Sequence, residues 1–139
     1  MKNILLLSVF LMLVNPVKAQ EKETAHRVVF QMTSAEIAEQ KGLLNNIDNL
    51  IKLWKDDVTI HVVIHGPGIA LVLAEKTTFK ADLTRLIDSG VVFKVCENTL
   101  KQKGIDKKAI RNNMQFVPSG IAEIILKQEQ GWSYIKSNF

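Results

Sequence analysis

Val58-Thr59-Ile60-His61-Val62-Val63-Ile64, running straight into His65-Gly66-Pro67-Gly68, is the stretch that decides the fold. Its near-continuous apolarity suits a parallel strand covered on both faces, and the Gly-Pro-Gly segment ends it. Upstream, Leu44, Ile47, Ile51 and Trp54 recur at three- and four-residue steps, the mark of a helix with one buried face. Thr33-Ser34 offers that helix an N-cap, with Glu36 in its first turn. Before it, His26-Arg27-Val28-Val29-Phe30-Gln31-Met32 reads as a first strand.

Downstream the alternation continues. Residues 69–74 read as a short apolar helix, and Phe79, Leu83, Leu86 and Ile87 mark a longer one that Ser89-Gly90 stops. Residues 91–95 form a third strand, followed by a helix from Cys96 to about Gly104. Residues 114–117 make a weaker fourth strand. Pro118-Ser119-Gly120 opens a helix with Ile121, Ile124 and Ile125 on its buried side, Gly131 closes it, and Trp132-Ser133-Tyr134-Ile135 is a final strand. Strands separated by helices predict an α/β domain with a mostly parallel sheet and helices on both faces. In such domains the working site lies beyond the carboxyl ends of the strands. The segments leaving those ends are Thr33-Ser34, His65-Gly66-Pro67-Gly68, Cys96-Glu97-Asn98 and Pro118-Ser119-Gly120.

The start of the chain has the form of a secretory leader. Met1-Lys2-Asn3 is basic, residues 4–14 are almost unbroken apolar sequence, and Val17-Lys18-Ala19 has the small-x-small pattern of a cleavage site. The apolar run falls short of the roughly 20 residues a membrane-spanning helix needs. We therefore expect a signal peptide over residues 1–19, a loose polar arm over 20–25 and one domain over 26–139, periplasmic or secreted, with no membrane association once the leader is cleaved. The full chain of 139 residues has 18 basic and 14 acidic side chains. Without Lys2 and Lys18 the basic count is 16, a net charge of +2. The lysines are scattered and not interleaved with aromatics, so a nucleic-acid partner is not expected. A chain of this length buries a core without disulfide staples, in keeping with its single cysteine.

That cysteine, Cys96, stands where the third strand turns into a helix. A helix N-terminus presents free N–H groups and a positive dipole end, which stabilise a thiolate; the adjacent Glu97 opposes it. Two readings stand, a reactive thiol and an inert core residue. His65 either shuttles a proton to the thiol or ties down the Gly66-Pro67-Gly68 turn, and the second reading is favoured. Gly66 and Gly68 let backbone approach a ligand, yet neither a Walker ending nor a GxGxxG spacing is present. Ser119, just before Gly120, reads as an N-cap rather than an anion ligand. Trp132 and Tyr134, on one face of the last strand, cover a core edge or a subunit contact. His26, His61 and His65 make no metal motif, and no cofactor is expected.

Four segments together carry a family resemblance: His65-Gly66-Pro67-Gly68, Cys96-Glu97-Asn98-Thr99-Leu100, Val117-Pro118-Ser119-Gly120-Ile121-Ala122-Glu123 and Gln130-Gly131-Trp132-Ser133-Tyr134-Ile135-Lys136. In this order, from His26 onward, they resemble the DsrE/DsrF-like family. The resemblance implies a flavodoxin-like, three-layer α/β/α domain whose five strands run in the order 4-3-2-1-5, assembled as a homotrimer or homohexamer. In sulfur-relay members a cysteine at the end of the third strand carries sulfur as a persulfide, and Cys96 matches that position. The implied site is an accessible, partly ionised Cys96, with His65, Gly66, Gly68, Asn98, Ser119 and Gly120 as its support. Donor and acceptor proteins for sulfur are the implied partners of such a carrier or accessory sulfurtransferase. The alternative is a non-catalytic oligomeric binding module whose strand-end pocket holds a small ligand or a partner peptide.

Overall fold

Five strands carry the domain: β1 (His26–Met32), β2 (Val58–Ile64), β3 (Val92–Cys96), β4 (Gln115–Val117) and β5 (Ser133–Lys136). The computed structural model describes residues 24–137, so the expected leader and most of the polar arm lie outside the described residues. The end of that arm is held: the Ala25 N–H donates to Asp57 Oδ1 at 3.0 Å, and the Thr24 and Thr59 hydroxyls share a hydrogen bond of 2.7 Å. The strands form one sheet in the order β4-β3-β2-β1-β5, and every pairing is parallel. This is the order and orientation expected.

Four α-helices connect them: α1 (Ile37–Trp54), α2 (Lys80–Asp88), α3 (Glu97–Lys103) and α4 (Gly120–Glu129). Handedness distributes them. The steps β1→β2, β2→β3 and β3→β4 all move the same way across the sheet, so right-handed crossovers place α1, α2 and α3 on one face. The step from β4 to β5 crosses back past all the others, which sends α4 to the opposite face, where it lies over β1, β2, β3 and β5.

The two faces differ in kind. Phe30, Met32, Val62, Ile64, Phe93 and Val95 turn to the first face and pack with Leu43, Leu44 and Ile47 of α1 and Leu83 and Leu86 of α2 in one buried cluster. Each such side chain contributes about 1.5–3 kcal/mol on burial. Arg85 clamps α2 to α1 with two bonds to Asp48, at 2.5 and 2.8 Å, an exposed pair that adds less than about 1 kcal/mol. The other parity of the strands puts Val29, Gln31, His61, Val63, His65, Lys94 and Cys96 on the α4 side. There the apolar core shrinks to Val29, Val63 and Ile124, with Trp132 packed against it. Polar and ionisable groups occupy the rest of that face.

Three expectations change. Helix α1 starts at Ile37, and its N-cap is Glu36 in extended conformation rather than Thr33 or Ser34. Ser34 spends its hydroxyl on the Glu36 N–H at 3.1 Å, one turn ahead of the helix. The short apolar helix of residues 69–74 is a 3-10 helix, Gly66–Val72, begun early by Pro67. It presses on the end of β1 so closely that a Cβ on Gly68 would stand 2.4 Å from the Met32 carbonyl oxygen. In α4 only Ile124 of the three isoleucines is buried; Ile121 and Ile125 are 52% and 49% exposed. Among the described residues α4 is the helix packed on this face, and a helix with no neighbour beside it buries a single narrow stripe.

Candidate functional site

Chain connections diverge at the carboxyl ends of β3 and β4. From β3 the chain passes into α3 on one face; from β4 it passes into α4 on the other. Such a switch point opens a crevice with a helix N-terminus on each side. Cys96, the last residue of β3, faces Val117 of β4 in the register and is also the N-cap of α3. The four rim segments do meet here. The His65 N–H donates to Met32 O at 3.2 Å, the Gly66 N–H to Thr99 Oγ1 at 3.0 Å, and the Asn98 N–H to Pro118 O at 3.3 Å.

The donor to the thiol comes from the far helix. The Gly120 N–H, first in α4, donates to Cys96 Sγ at 3.2 Å. Glycine gives this approach its room, since a Cβ there would meet Val63 Cγ1 at 3.2 Å and the Cβ atoms of Cys96 and His65 at 3.3 Å. No cap hydrogen bond closes between Sγ and its own helix. The Thr99 hydroxyl and the Thr99 and Asn98 N–H groups act on the charge of the sulfur from that side. Burial pushes the thiol pKa up, but these donors outweigh it and hold it below the ordinary thiol value; the Thr99 hydroxyl is the largest of them and Gly120 the next. Glu97, expected to oppose the charge, instead pairs with Lys107. Cys96 is 6% exposed, a thiol roofed by α4 rather than open on the rim.

The His65 ring bonds to β1 rather than to the turn that follows it. Its Nε2 meets Gln31 Nε2 at 2.8 Å, and Gln31 Oε1 accepts from the Tyr134 hydroxyl. Burial lowers the His65 pKa, so the ring is neutral and accepts the amide proton. No hydrogen bond joins His65 to Cys96 among the described residues. Ser119 is the N-cap of α4, its hydroxyl accepting from the Ala122 N–H at 3.4 Å. The Asn98 side chain is exposed and only its backbone enters the site.

Sequence reading missed three contributors. Thr99 sits three residues into a motif quoted only for its cysteine. Gln31 goes unnamed there and Tyr134 enters only as cover for a core edge or a subunit contact; register joins the two, Tyr134 lying beside Val29, so no local pattern exposes the link. The third is the pair Lys94–Glu123, 2.5 Å apart and nearly buried, which ties β3 to the first turn of α4. Beside it His61, at 4.4 Å from the Trp132 ring, is pushed down to about 3 by burial and by Lys94 and Lys127. Among the described residues no cluster of three or more metal-binding side chains occurs, and no helix is long and apolar enough to cross a membrane. The cavity bounded by Thr84, Asp88 and Arg111 lies beyond α2 and does not reach Cys96.

Comparison places the chain among known proteins. Residues 10–137 match the DsrE/DsrF-like family. The structure of a protein of unknown function, MTH1491 from Methanobacterium thermoautotrophicum, superposes with a TM-score of 0.76 at 30% identity, over 80% of this chain and 98% of that one. A conserved protein of unknown function, BT1422 from Bacteroides thetaiotaomicron, shares the fold at a TM-score of 0.62 and 15% identity, over 84% of this chain and 98% of that one. No curated protein matches.

Proposed function

The chain belongs to the DsrE/DsrF-like family, and on that premise we propose that it handles reactive sulfur through Cys96, as a persulfide carrier or accessory sulfurtransferase. The Gly120 N–H aimed at Sγ carries this reading. A backbone donor at a helix N-terminus, held there by a glycine, favours the thiolate, which is the nucleophilic form. In loading, the Cys96 thiolate attacks the outer sulfur of a donor persulfide R–S–S–H. The Sγ–S bond forms, the donor S–S bond breaks, and the electron pair leaves on the donor thiolate. Delivery to an acceptor thiolate is the same exchange with Cys96 as the leaving group.

Exposure of the protein to polysulfide, followed by mass spectrometry, tests the proposal. One added sulfur on the wild type and none on Cys96→Ser is expected. A thiol that resists both sulfur and alkylating reagent until the protein unfolds overturns it.

One observation favours a second reading, the burial of Cys96. In that reading the thiol is core and the domain is a non-catalytic binding module. Neutral pH alkylation of the folded protein separates the two.

We further propose export and self-assembly. The basic start, apolar run and Val17-Lys18-Ala19 support a mature N-terminus at Gln20, which N-terminal sequencing of the exported protein checks. The uncovered Ile121, Ile125 and Leu126 flanks of α4 support a trimer or hexamer built through that helix.

A further inference from the structure

We propose that the cavity beyond α2 binds an acidic α-amino acid, at a site apart from Cys96 and independent of its chemistry. The cavity, about 360 Å³, lies between the last turns of α2 and the segment before β4. That volume falls within the roughly 300–1,000 Å³ of small-molecule sites. A short antiparallel bridge between Leu73 and Ile110 builds its wall, with the Ala74 N–H donating to Ala109 O at 2.9 Å and the Arg111 N–H to Val72 O at 3.0 Å. Arg111 is thereby carried against α2, where its Nη2 donates to Thr84 Oγ1 at 2.8 Å. Thr84 donates in turn to Lys80 O at 3.0 Å, so neutral groups hold the guanidinium in place. Its Nε is shut off from solvent and has no hydrogen-bond partner among the described residues. A half-buried guanidinium fixed in this way, with no carboxylate on it, favours an anion beside it.

The other charges on the wall select the anion. Asp88 lines the same cavity, four residues after Thr84 and so on the same stripe of α2. Among the described residues no ion pair or hydrogen bond engages its carboxylate, that of Arg111 included. Asp88 is also the last residue of α2, where the helix dipole opposes a negative charge, so a cation placed there relieves both. Lys108, its ammonium likewise unpaired, supplies a second positive charge. Two cations and one anion around one cavity complement a ligand with two carboxylates and one ammonium. In an acidic α-amino acid the α-carboxylate meets Arg111, the ammonium meets Asp88 and the side-chain carboxylate meets Lys108. The first two groups share one carbon, which suits partners set one helical turn, about 5–6 Å, apart on α2. The methylenes of the ligand lie against Ile87 and Ile110.

Equilibrium dialysis of the purified protein against L-glutamate tests the site, beside three probes that each lack one group. Glutarate has no ammonium, 4-aminobutyrate no α-carboxylate and L-norvaline no side-chain carboxylate. One glutamate per chain is expected, with each probe bound at least about tenfold more weakly. Asp88→Asn should erase the preference for glutamate over glutarate, Lys108→Gln the preference over norvaline, and Arg111→Met should abolish binding. Asp88 and Lys108 are exposed, so their variants carry the test should Arg111→Met fail to fold. No bound glutamate at concentrations up to about 10 mM overturns the site. Glutarate held as tightly as glutamate by the wild type makes the cavity a plain anion site and overturns the amino-acid assignment. Glutamate bound equally by the wild type and all folded variants lies elsewhere, which overturns the assignment to this cavity.

Discussion

Gly120 and Cys96 lie 24 residues apart in the chain, yet the N–H of one donates to the sulfur of the other at 3.2 Å. The contact spans two faces of the sheet: Cys96 begins the helix on one face, and Gly120 begins the helix on the other. A thiol at such a crossing receives the positive ends of two helices of opposite layers. That arrangement follows from the connection after β4, which turns back across the sheet to reach β5 at the far edge.

Gly120→Ala tests how closely the roof fits. Its Cβ would fall 3.2–3.3 Å from Val63, Cys96 and His65, so α4 and its neighbours must part by a few tenths of an ångström. We expect a loss of about 1–3 kcal/mol in urea unfolding. The alkylation midpoint should rise toward that of an ordinary thiol as the N–H retreats from Sγ.

Lys94 and Glu123 hold that roof down. Lys94→Met leaves a nearly buried carboxylate without its partner and should cost about 3 kcal/mol. The double variant Lys94→Met, Glu123→Leu should recover most of the loss, because no uncompensated charge remains. A double variant as unstable as the single one would show that the pair itself, not the stranded charge, sets the stability.

His61 predicts a pH dependence. Burial first, then Lys94 and Lys127, hold it near 3 in the folded state. Unfolded, it titrates near 6.5. Between these values the unfolded chain binds the proton and the folded one does not, so stability is full above about pH 6.5 and falls as the pH drops toward 3. His61→Phe, which keeps a ring against Trp132, should flatten that slope without abolishing it, since burial lowers His65 in the same direction. Urea midpoints measured from pH 7 to pH 4 give both slopes.

Assembly through α4 is checked by sedimentation. Ile121, Ile125 and Leu126 are about half exposed along one helix. Replacing Ile121 and Ile125 by Glu should dissociate any oligomer without unfolding the domain, because neither side chain belongs to the core. A wild type that stays monomeric at micromolar concentration refutes the interface.

Much of this protein was legible in its linear order. The apolar run of β2, the three- and four-residue spacing of Leu44, Ile47, Ile51 and Trp54, and the strand–helix alternation determined an α/β domain, because burial pattern and periodicity are local properties. Cys96 at a strand–helix junction and Ser119 as an N-cap were readable for the same reason. The helix start read at Ser34 lies two residues before the N-cap at Glu36, since Ser caps and Ser turns share one sequence signature. Tertiary structure alone decided that, among the described residues, α4 has no helix beside it on its face, which exposes Ile121 and Ile125 despite their helical spacing. It alone brought Gly120 over the thiol, wired Thr99 to Gly66, turned Glu97 toward Lys107 and joined Lys94 to Glu123. Each of these depends on which strands are neighbours and which face each crossover takes, and a chain carries that information only once its distant segments have been packed together.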